Sequence, residues 1–492
     1  MEFLSGNVLL LGSVLIFISV IISKTGYKFG LPTLLLFLLV GMFFGVDGIG
    51  ISFDSPEDAQ FIGMMALSII LFTGGMDTKM KDIKPVLKQG LILSTAGVLI
   101  TTVITGLFIY FICRNLSGMS SELSMLTSFL MAATMSSTDS ASVFNLLRSQ
   151  KMDLKYNARP LLELESGSND PMAYMLTIVL IDVIATNSGN MEWSQILIKF
   201  VQQFLVGGIV GYLFGKVAIQ LVNNLNLSNS SLYPIMLLSL VWMNFILADM
   251  QKGNGYLSVY IMGLMLGNNR LSYKREISSF MNVLTWVFQI VMFLCLGLLV
   301  RPSQMIHVIW VALLIGVFMI VVARPASVFL CLLPCRDIPV KAKAFCSWVG
   351  LKGASPILFA TYPVVAGVEG SDLIFNVVFV ITMVSLLAQG MTITPIARYL
   401  KLDMPVEENN NDFGVELPEE LETQLKEMVL SENQLKTGNT LATLGLPKEF
   451  LVMMIKRGDQ ILVPNGTLEL MAGDKLLMIS EKKGGGKRDI PR

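Results

Sequence analysis

The stretch Glu165-Ser166-Gly167-Ser168-Asn169-Asp170-Pro171 sets two carboxylates inside an apolar run from about residue 159 to 184, long enough for one helix to cross a bilayer. A charge at bilayer depth is costly unless paired or hydrated, so each such charge marks a candidate for function. A solvated helix entrance tolerates Glu163, but apolar sequence continues to Asp182, which puts Asp170 near mid-membrane. At roughly 100° per residue, Glu165, Asn169, Ser166 and Asp170 fall at about 0°, 40°, 100° and 140°, on one broad helix face.

The composition of the whole chain agrees with a membrane setting. Of 492 residues 53% are hydrophobic and only 15% charged, against about a quarter charged in soluble domains. Apolar runs lie near 5–23, 31–46, 59–76, 86–113, 122–147, 159–184, 195–221, 232–250, 254–269, 279–300, 304–333, 342–366 and 371–398, about thirteen spans in all. The fold class is therefore an all-α polytopic membrane protein, with a small α+β cytosolic domain at its C-terminal end. Met1 to Gly6 lacks a basic region and no small-residue cleavage pattern follows, so the first run is expected to remain as a span.

Basic residues occupy alternate loops: Lys24 and Lys28; Lys79, Lys81, Lys84 and Lys88; Arg148, Lys151, Lys155 and Arg159; Arg270, Lys274 and Arg275; Arg336, Lys341 and Lys343. These loops are expected in the cytoplasm. The opposite loops hold Asp47, Asp54, Glu57, Asp58, Glu192, Glu369 and Asp372, which places the N-terminus outside and the C-terminus inside a bacterial-type inner membrane. The membrane unit is expected over 1–400, a polar linker over 401–411, a soluble module over 412–482 and a disordered tail over 483–492. Within the module, strands are expected at Thr423 to Leu430, Phe450 to Ile455, Gln460 to Val463 and Lys475 to Ser480, with a short helix at Thr440 to Leu446.

Three more charges fall at bilayer depth. Met135-Ser136-Ser137-Thr138-Asp139-Ser140 interrupts the fifth span, and Gly350-Leu351-Lys352-Gly353-Ala354-Ser355-Pro356 interrupts the twelfth; Arg324 precedes Pro325 in the eleventh. Two broken crossing helices are what inverted-repeat transporters use to aim half-helix ends at a midplane ion site. There Asp139 would offset helix N-terminal ends and Lys352 the C-terminal carbonyl ends. The competing readings are that Asp139 only caps the cytoplasmic half-helix and that Lys352 and Arg324 snorkel to the cytoplasmic face.

Other functions have little support. Zero formal net charge with scattered basic clusters gives no reason to expect nucleic acid. A potassium channel would need a Thr-Val-Gly-Tyr-Gly filter, which is missing. An enzyme would need a nucleophile with its base, and the lone His307 does not supply one. The five cysteines read as small buried hydrophobes. No cofactor is expected.

Antiport needs one site that holds either a proton or a cation, and a half-buried Asp170 meets this because both ligands compete for the same oxygens. Its neighbour Asn169 is neutral and Arg324 stays protonated, so the expected ratio is one proton per cation.

These motifs, with Asn254-Gly255-Tyr256-Leu257-Ser258-Val259-Tyr260, Gly263 and Gly267-Asn268, resemble the NhaP-like branch of the cation/proton antiporter superfamily over residues 1 to 400. Residues 412 to 482 resemble the TrkA-C, or RCK C-terminal, module of potassium transport systems. The resemblance implies that Asp170 alternately binds a monovalent cation and a proton, with Ser166 and the backbone at Thr138 as further oxygen ligands and Asp139 and Asn169 shaping the site. It also implies a Glu165–Arg324 ion pair and a homodimer that works by elevator-like movement. The partners are then K+ or Na+, H+, a second copy of the chain and a small regulatory ligand at the C-terminal module. Several sodium-selective relatives carry a Glu where Leu71-Phe72-Thr73-Gly74-Gly75-Met76 has Thr73, which tilts the expectation toward K+/H+ exchange, with Na+/H+ exchange as the alternative.

Overall fold

The structure, a computed structural model, describes residues 2–29, 32–115, 123–150, 152–186, 193–335, 337–405, 425–430, 435, 439–446, 450–458 and 460–480. The chain divides into two compact units, Met1–Pro405 and Val406–Arg492.

Among its described residues the first unit's regular structure is helical apart from one short strand pair. Among the described residues eight helices are long and apolar enough to cross a membrane: Pro56–Asp77, Met80–Arg114, Ala158–Ala185, Ile196–Asn224, Leu232–Met250, Lys274–Leu299, Ile309–Leu332 and Ser371–Tyr399. Leu9–Lys24, Thr33–Phe44, Met125–Thr134, Gly255–Gly267 and Ala354–Val365 are apolar but shorter. Helices dominate because lipid offers no partners to backbone polar groups, which must then pair within the segment. Leu197, Ile198, Leu205, Ile209 and Leu213 lie exposed on one helix, as lipid-facing residues do. Small residues let helices touch through their backbones. A Cβ at Gly263 would stand 2.2 Å from the carbonyl oxygen of Phe72, and one at Gly297 would stand 2.4 Å from that of Leu38.

Among the described residues four helices are irregular, and the sequence explains one of them directly. Pro325 has no N–H to donate one turn back, and the helix widens into a π turn at Met319–Ala323 just before Arg324–Leu332. A second π turn at Leu93–Gly97 leaves the Gly97 carbonyl to accept from Ser327 Oγ at 2.7 Å, joining the two irregular helices. The other two are interrupted: Met125–Thr134 stops before Ser140–Ser149, and Val340–Trp348 stops before Ala354–Val365.

Residues 401–405, expected to begin the linker, are ordered into the first unit instead. Asp403–Pro405 pairs antiparallel with Met152–Leu154, with Asp153 opposite Met404. The Lys155 N–H extends the pairing to the Leu402 carbonyl at 3.0 Å.

In the second unit a four-stranded antiparallel sheet runs in the order Leu425–Val429, Lys475–Ser480, Phe450–Arg457, Gln460–Leu462. Leu430, Leu444, Ile455, Leu470, Leu476 and Met478 form its core. The helix expected at Thr440 to Leu446 is a turn: the Thr443 hydroxyl bonds back to Thr440, and Gly445 at φ +69° ends any helical path. Arg457 donates to both carboxylate oxygens of Asp474, at 2.8 and 2.7 Å, and this pairing holds the Asp474 carboxyl below its ordinary range. Residues 406–411 of the expected linker, Thr423 at the first expected strand and the 483–492 tail lie outside the described residues.

Candidate functional site

The two interrupted helices meet at their breaks. The Asp139 N–H donates to the Leu351 carbonyl at 2.8 Å, and Lys352 Nζ donates to the Ser137 carbonyl at 2.8 Å. Backbone groups that a continuous helix would use internally are thus satisfied across the gap between two helices. The second break is also tied to the Ser371–Tyr399 helix, since the Lys352 N–H donates to Ser385 Oγ at 2.9 Å and Gln389 Nε2 to the Trp348 carbonyl at 2.7 Å.

Asp139 caps the half-helix that starts at Ser140, accepting from the Ser142 N–H at 3.1 Å and the Ser142 hydroxyl at 2.6 Å. It also faces the start of the other half-helix, where a Cβ at Gly353 would stand 2.4 Å from its Oδ2. One carboxylate thus caps Ser140–Ser149 and lies beside the start of the other half-helix.

Against these breaks lies the polar face of the Ala158–Ala185 helix. Asn169 Nδ2 donates to Thr138 Oγ1 at 2.6 Å, and Ser166 Oγ donates to the Thr138 carbonyl at 2.8 Å while accepting from the Ser140 N–H at 3.0 Å. Asp170 is held from both sides: Ser137 donates its hydroxyl to Oδ1, and Ser355 donates to Oδ2 at 3.0 Å. Pro171, one residue on, leaves its carbonyl to Asn254 Nδ2 at 2.6 Å.

Glu165 points elsewhere on the same face and pairs with Arg324 at 2.6 Å. Both side chains are buried, 1% and 6% exposed, so Arg324 does not snorkel, and neither does the 3%-exposed Lys352. Asp139, Glu165 and Asp170 thus set three carboxylates against the two cations Arg324 and Lys352, leaving the core one formal negative charge to be balanced.

A cavity of about 820 Å³ reaches this core. Asp139, Ser140, Ser166, Gly167, Asp170, Tyr260 and Ser355 line it, and its wall extends to Lys79, Lys81, Asp82, Asp153, Arg159, Glu163 and Met404. From the Pro56–Asp77 helix it takes Leu67, Ile70, Leu71, Gly74 and Asp77. The hydroxyl of Thr73 instead accepts from Thr285 Oγ1 at 3.1 Å.

All eight residues singled out from sequence, Thr138, Asp139, Glu165, Ser166, Asn169, Asp170, Arg324 and Lys352, fall within this assembly. Ser137 and Ser355, which hold the Asp170 carboxylate, were not assigned a role. Both stand in the helix-breaking motifs, but nothing in a lone serine separates a site hydroxyl from an ordinary helix residue. All five cysteines are free, with Cys113, Cys331 and Cys346 buried.

A family model described as sodium/hydrogen exchanger, transmembrane, matches residues 13–399. A model of the TrkA-C domain matches residues 426–485. The K(+)/H(+) antiporter NhaP2 of Shewanella sp. (strain ANA-3) is 38% identical over 476 residues, 96% of this chain and 81% of the relative. The K(+)/H(+) antiporter NhaP of Alkalimonas amylolytica is 42% identical over 408 residues, 83% of this chain and 69% of the relative. The Na(+)/H(+) antiporter NhaG of Bacillus atrophaeus is 26% identical over 325 residues, 62% of this chain and 59% of the relative. In fold, the chain is similar to the solved sodium proton antiporter MjNhaP1 from Methanocaldococcus jannaschii at pH 8: the TM-score is 0.66 at 23% identity, over 79% of this chain and 100% of that one.

Proposed function

The chain belongs to the transmembrane sodium/hydrogen exchanger family, and from that premise we propose that it exchanges K+ for H+ across a bacterial-type inner membrane, one ion per proton. The observation that carries the reading is Asp170, a carboxylate at a cavity wall held between two interrupted crossings by Ser137 and Ser355. Three carboxylates against two cations leave one unit of charge, which either one proton or one monovalent cation neutralises. A core that crosses the bilayer only when neutral therefore carries one or the other, and exchange is electroneutral. Arg324 and Lys352 do not trade ions in this scheme, because the first is paired with Glu165 and the second is bonded to the Ser137 carbonyl.

In the proposed cycle the cation takes oxygen ligands from Asp170, Ser166 and the Thr138 carbonyl, while Asp139 and Asn169 fix the shape of the break. Potassium is favoured over sodium by the naming of the two most similar relatives described above and by Thr73, whose hydroxyl is engaged by Thr285 rather than lining the cavity.

The thirteen-crossing, inverted-repeat reading draws support from spacing. The π turns fall in the fourth and eleventh spans and the breaks in the fifth and twelfth, each pair seven spans apart. With the N-terminus outside, Lys79, Lys81 and Arg159 put the cavity mouth in the cytoplasm. The working unit is taken to be a homodimer whose ion-binding core moves as an elevator. The C-terminal module is taken to regulate it, with a small ligand, since the segment leading toward it, Asp403–Pro405, pairs beside the cavity wall.

The test is exchange in proteoliposomes against K+, Na+, Li+ and Rb+, with and without an imposed membrane potential. K+-driven proton movement without steady current is expected, and Asp170→Asn should abolish it while the protein stays folded. Exchange retained by Asp170→Asn would remove the site assignment. A Na+ preference would select the alternative antiporter, and current without a pH gradient would favour a channel.

A further inference from the structure

We propose that Ser355 is a cation ligand of the exchange site, and that its hydroxyl sets how well the site holds K+ in competition with H+. The proposal rests on the reading of Asp170 as the exchanging carboxylate.

Two hydroxyls bond Asp170, and their surroundings differ. Ser137 belongs to the break itself, and its carbonyl is engaged by Lys352. Ser355 lines the cavity together with Asp170, Ser166 and Ala354. Its oxygen is 3.0 Å from Asp170 Oδ2, close enough for one ion to touch both atoms. A serine hydroxyl has one proton and two lone pairs, so it can donate to the carboxylate and still offer an oxygen to an ion in the cavity. A cation that sheds its water needs such oxygens in place of the hydration shell.

Location in the chain sharpens the point. Ser355 stands in the first turn of the Ala354–Val365 half-helix, whose free N–H groups repel a cation. Pro356 removes one of those donors, and the Ser355 hydroxyl puts an oxygen at the same end. The other ligands, Ser166 and the Thr138 carbonyl, lie at the opposite break. A cation bound to both sets draws the two half-helix ends onto one ion. A proton on Asp170 engages only the carboxylate and its hydrogen-bond partners. Ser355, which donates to the ionised carboxylate, therefore favours the cation-bound Asp170 over the protonated one.

The experiment compares Ser355→Ala, Ser355→Thr and Ser355→Val in proteoliposomes, reading half-saturation for K+ and Na+, maximal rate, and K+-dependent thermal stabilisation of the detergent-solubilised protein. Ala and Val should raise half-saturation for K+ at least about tenfold, as loss of one polar contact to a charge does. Their maximal rate should fall by less than that, their thermal shift with K+ should shrink, and Thr should restore wild-type values. Unchanged half-saturation and thermal shift in Ala or Val would overturn the proposal, as would equal effects of Thr and Val. If Ala and Val do not fold, Ser355→Cys carries the same expectation, since a thiol is a poor ligand for a hard cation. Failure of the underlying reading is distinguishable, because it appears as exchange retained by Asp170→Asn.

Discussion

Lys352 Nζ donates to the carbonyl oxygen of Ser137 at 2.8 Å, so the ammonium of one interrupted helix closes the break in the other. Asp139 acts in the reverse sense, capping Ser140–Ser149 and facing Gly353. Each break thereby depends on a charge, and the two charges are not interchangeable.

Lys352→Met should consequently remove both a donor to a buried carbonyl and one of the two cations that balance the core. Leaving a buried charge uncompensated costs about 3–5 kcal/mol, so a lower thermal midpoint and at least about tenfold slower exchange are expected. Lys352→Arg, which keeps the charge, should retain more stability than Lys352→Met. Equal midpoints for wild type and Lys352→Met would contradict the role given to this contact.

Glu165 and Arg324 form a buried pair at 2.6 Å. Glu165→Gln and Arg324→Met should each destabilise by about 3–5 kcal/mol, and the double variant by less than the sum, because a lone buried charge is worse than none. Thermal denaturation of all four proteins gives the coupling energy. Strict additivity would show that the two side chains act independently.

Truncation separates the membrane unit from the module only if the cut respects Asp403–Pro405. A stop after Pro405 should preserve cation selectivity and one-to-one coupling while changing the rate or its pH dependence, as expected of a domain that interacts differently with two states of the core. A stop after Leu400 also removes the strand paired with Met152–Leu154 and should lower stability as well. An unchanged rate, pH profile and ligand response in a stable, dimeric chain ending at Pro405 would end the regulatory reading.

Asp474 supplies a pH dependence in the module. Its carboxyl is held below its ordinary range, chiefly by hydrogen bonds from Arg457. The stabilisation is therefore complete above the unfolded carboxylate value of about 3.9 and is lost as pH falls through the lower folded value. Amide protection factors over residues 425–480 of the whole chain, with the intrinsic pH dependence of exchange divided out, should fall below about pH 4. Asp474→Asn should abolish that step and loosen the module at neutral pH by about 1.5–3 kcal/mol.

Sequence revealed the polar intrusions because a bilayer makes them conspicuous: Asp139, Asp170, Arg324 and Lys352 stand out against apolar runs, and the wheel put Glu165, Ser166, Asn169 and Asp170 on one face. What each intrusion touches was not readable from residue types. That one face splits, with Glu165 toward Arg324 and the others toward Thr138, Ser137 and Ser355, depends on how the helices cross. Length misled in the other direction: the runs near 31–46 and 254–269 yield helices of 12 and 13 residues, Thr33–Phe44 and Gly255–Gly267. In the module, Thr440 to Leu446 has helix-compatible residues, yet the Thr440–Thr443 contacts and Gly445 close a turn.

The strand pair between Met152–Leu154 and Asp403–Pro405 has a consequence for biosynthesis. Its partners are separated by about 250 residues, and chains emerge from the ribosome N-terminal end first. The segment after Ser140–Ser149 therefore waits, unpaired, until the Ser371–Tyr399 helix has been made. Closing so long a loop costs entropy that only the finished helix packing can offset. A chain released early lacks this join, so completion of the cavity wall coincides with completion of the whole membrane unit.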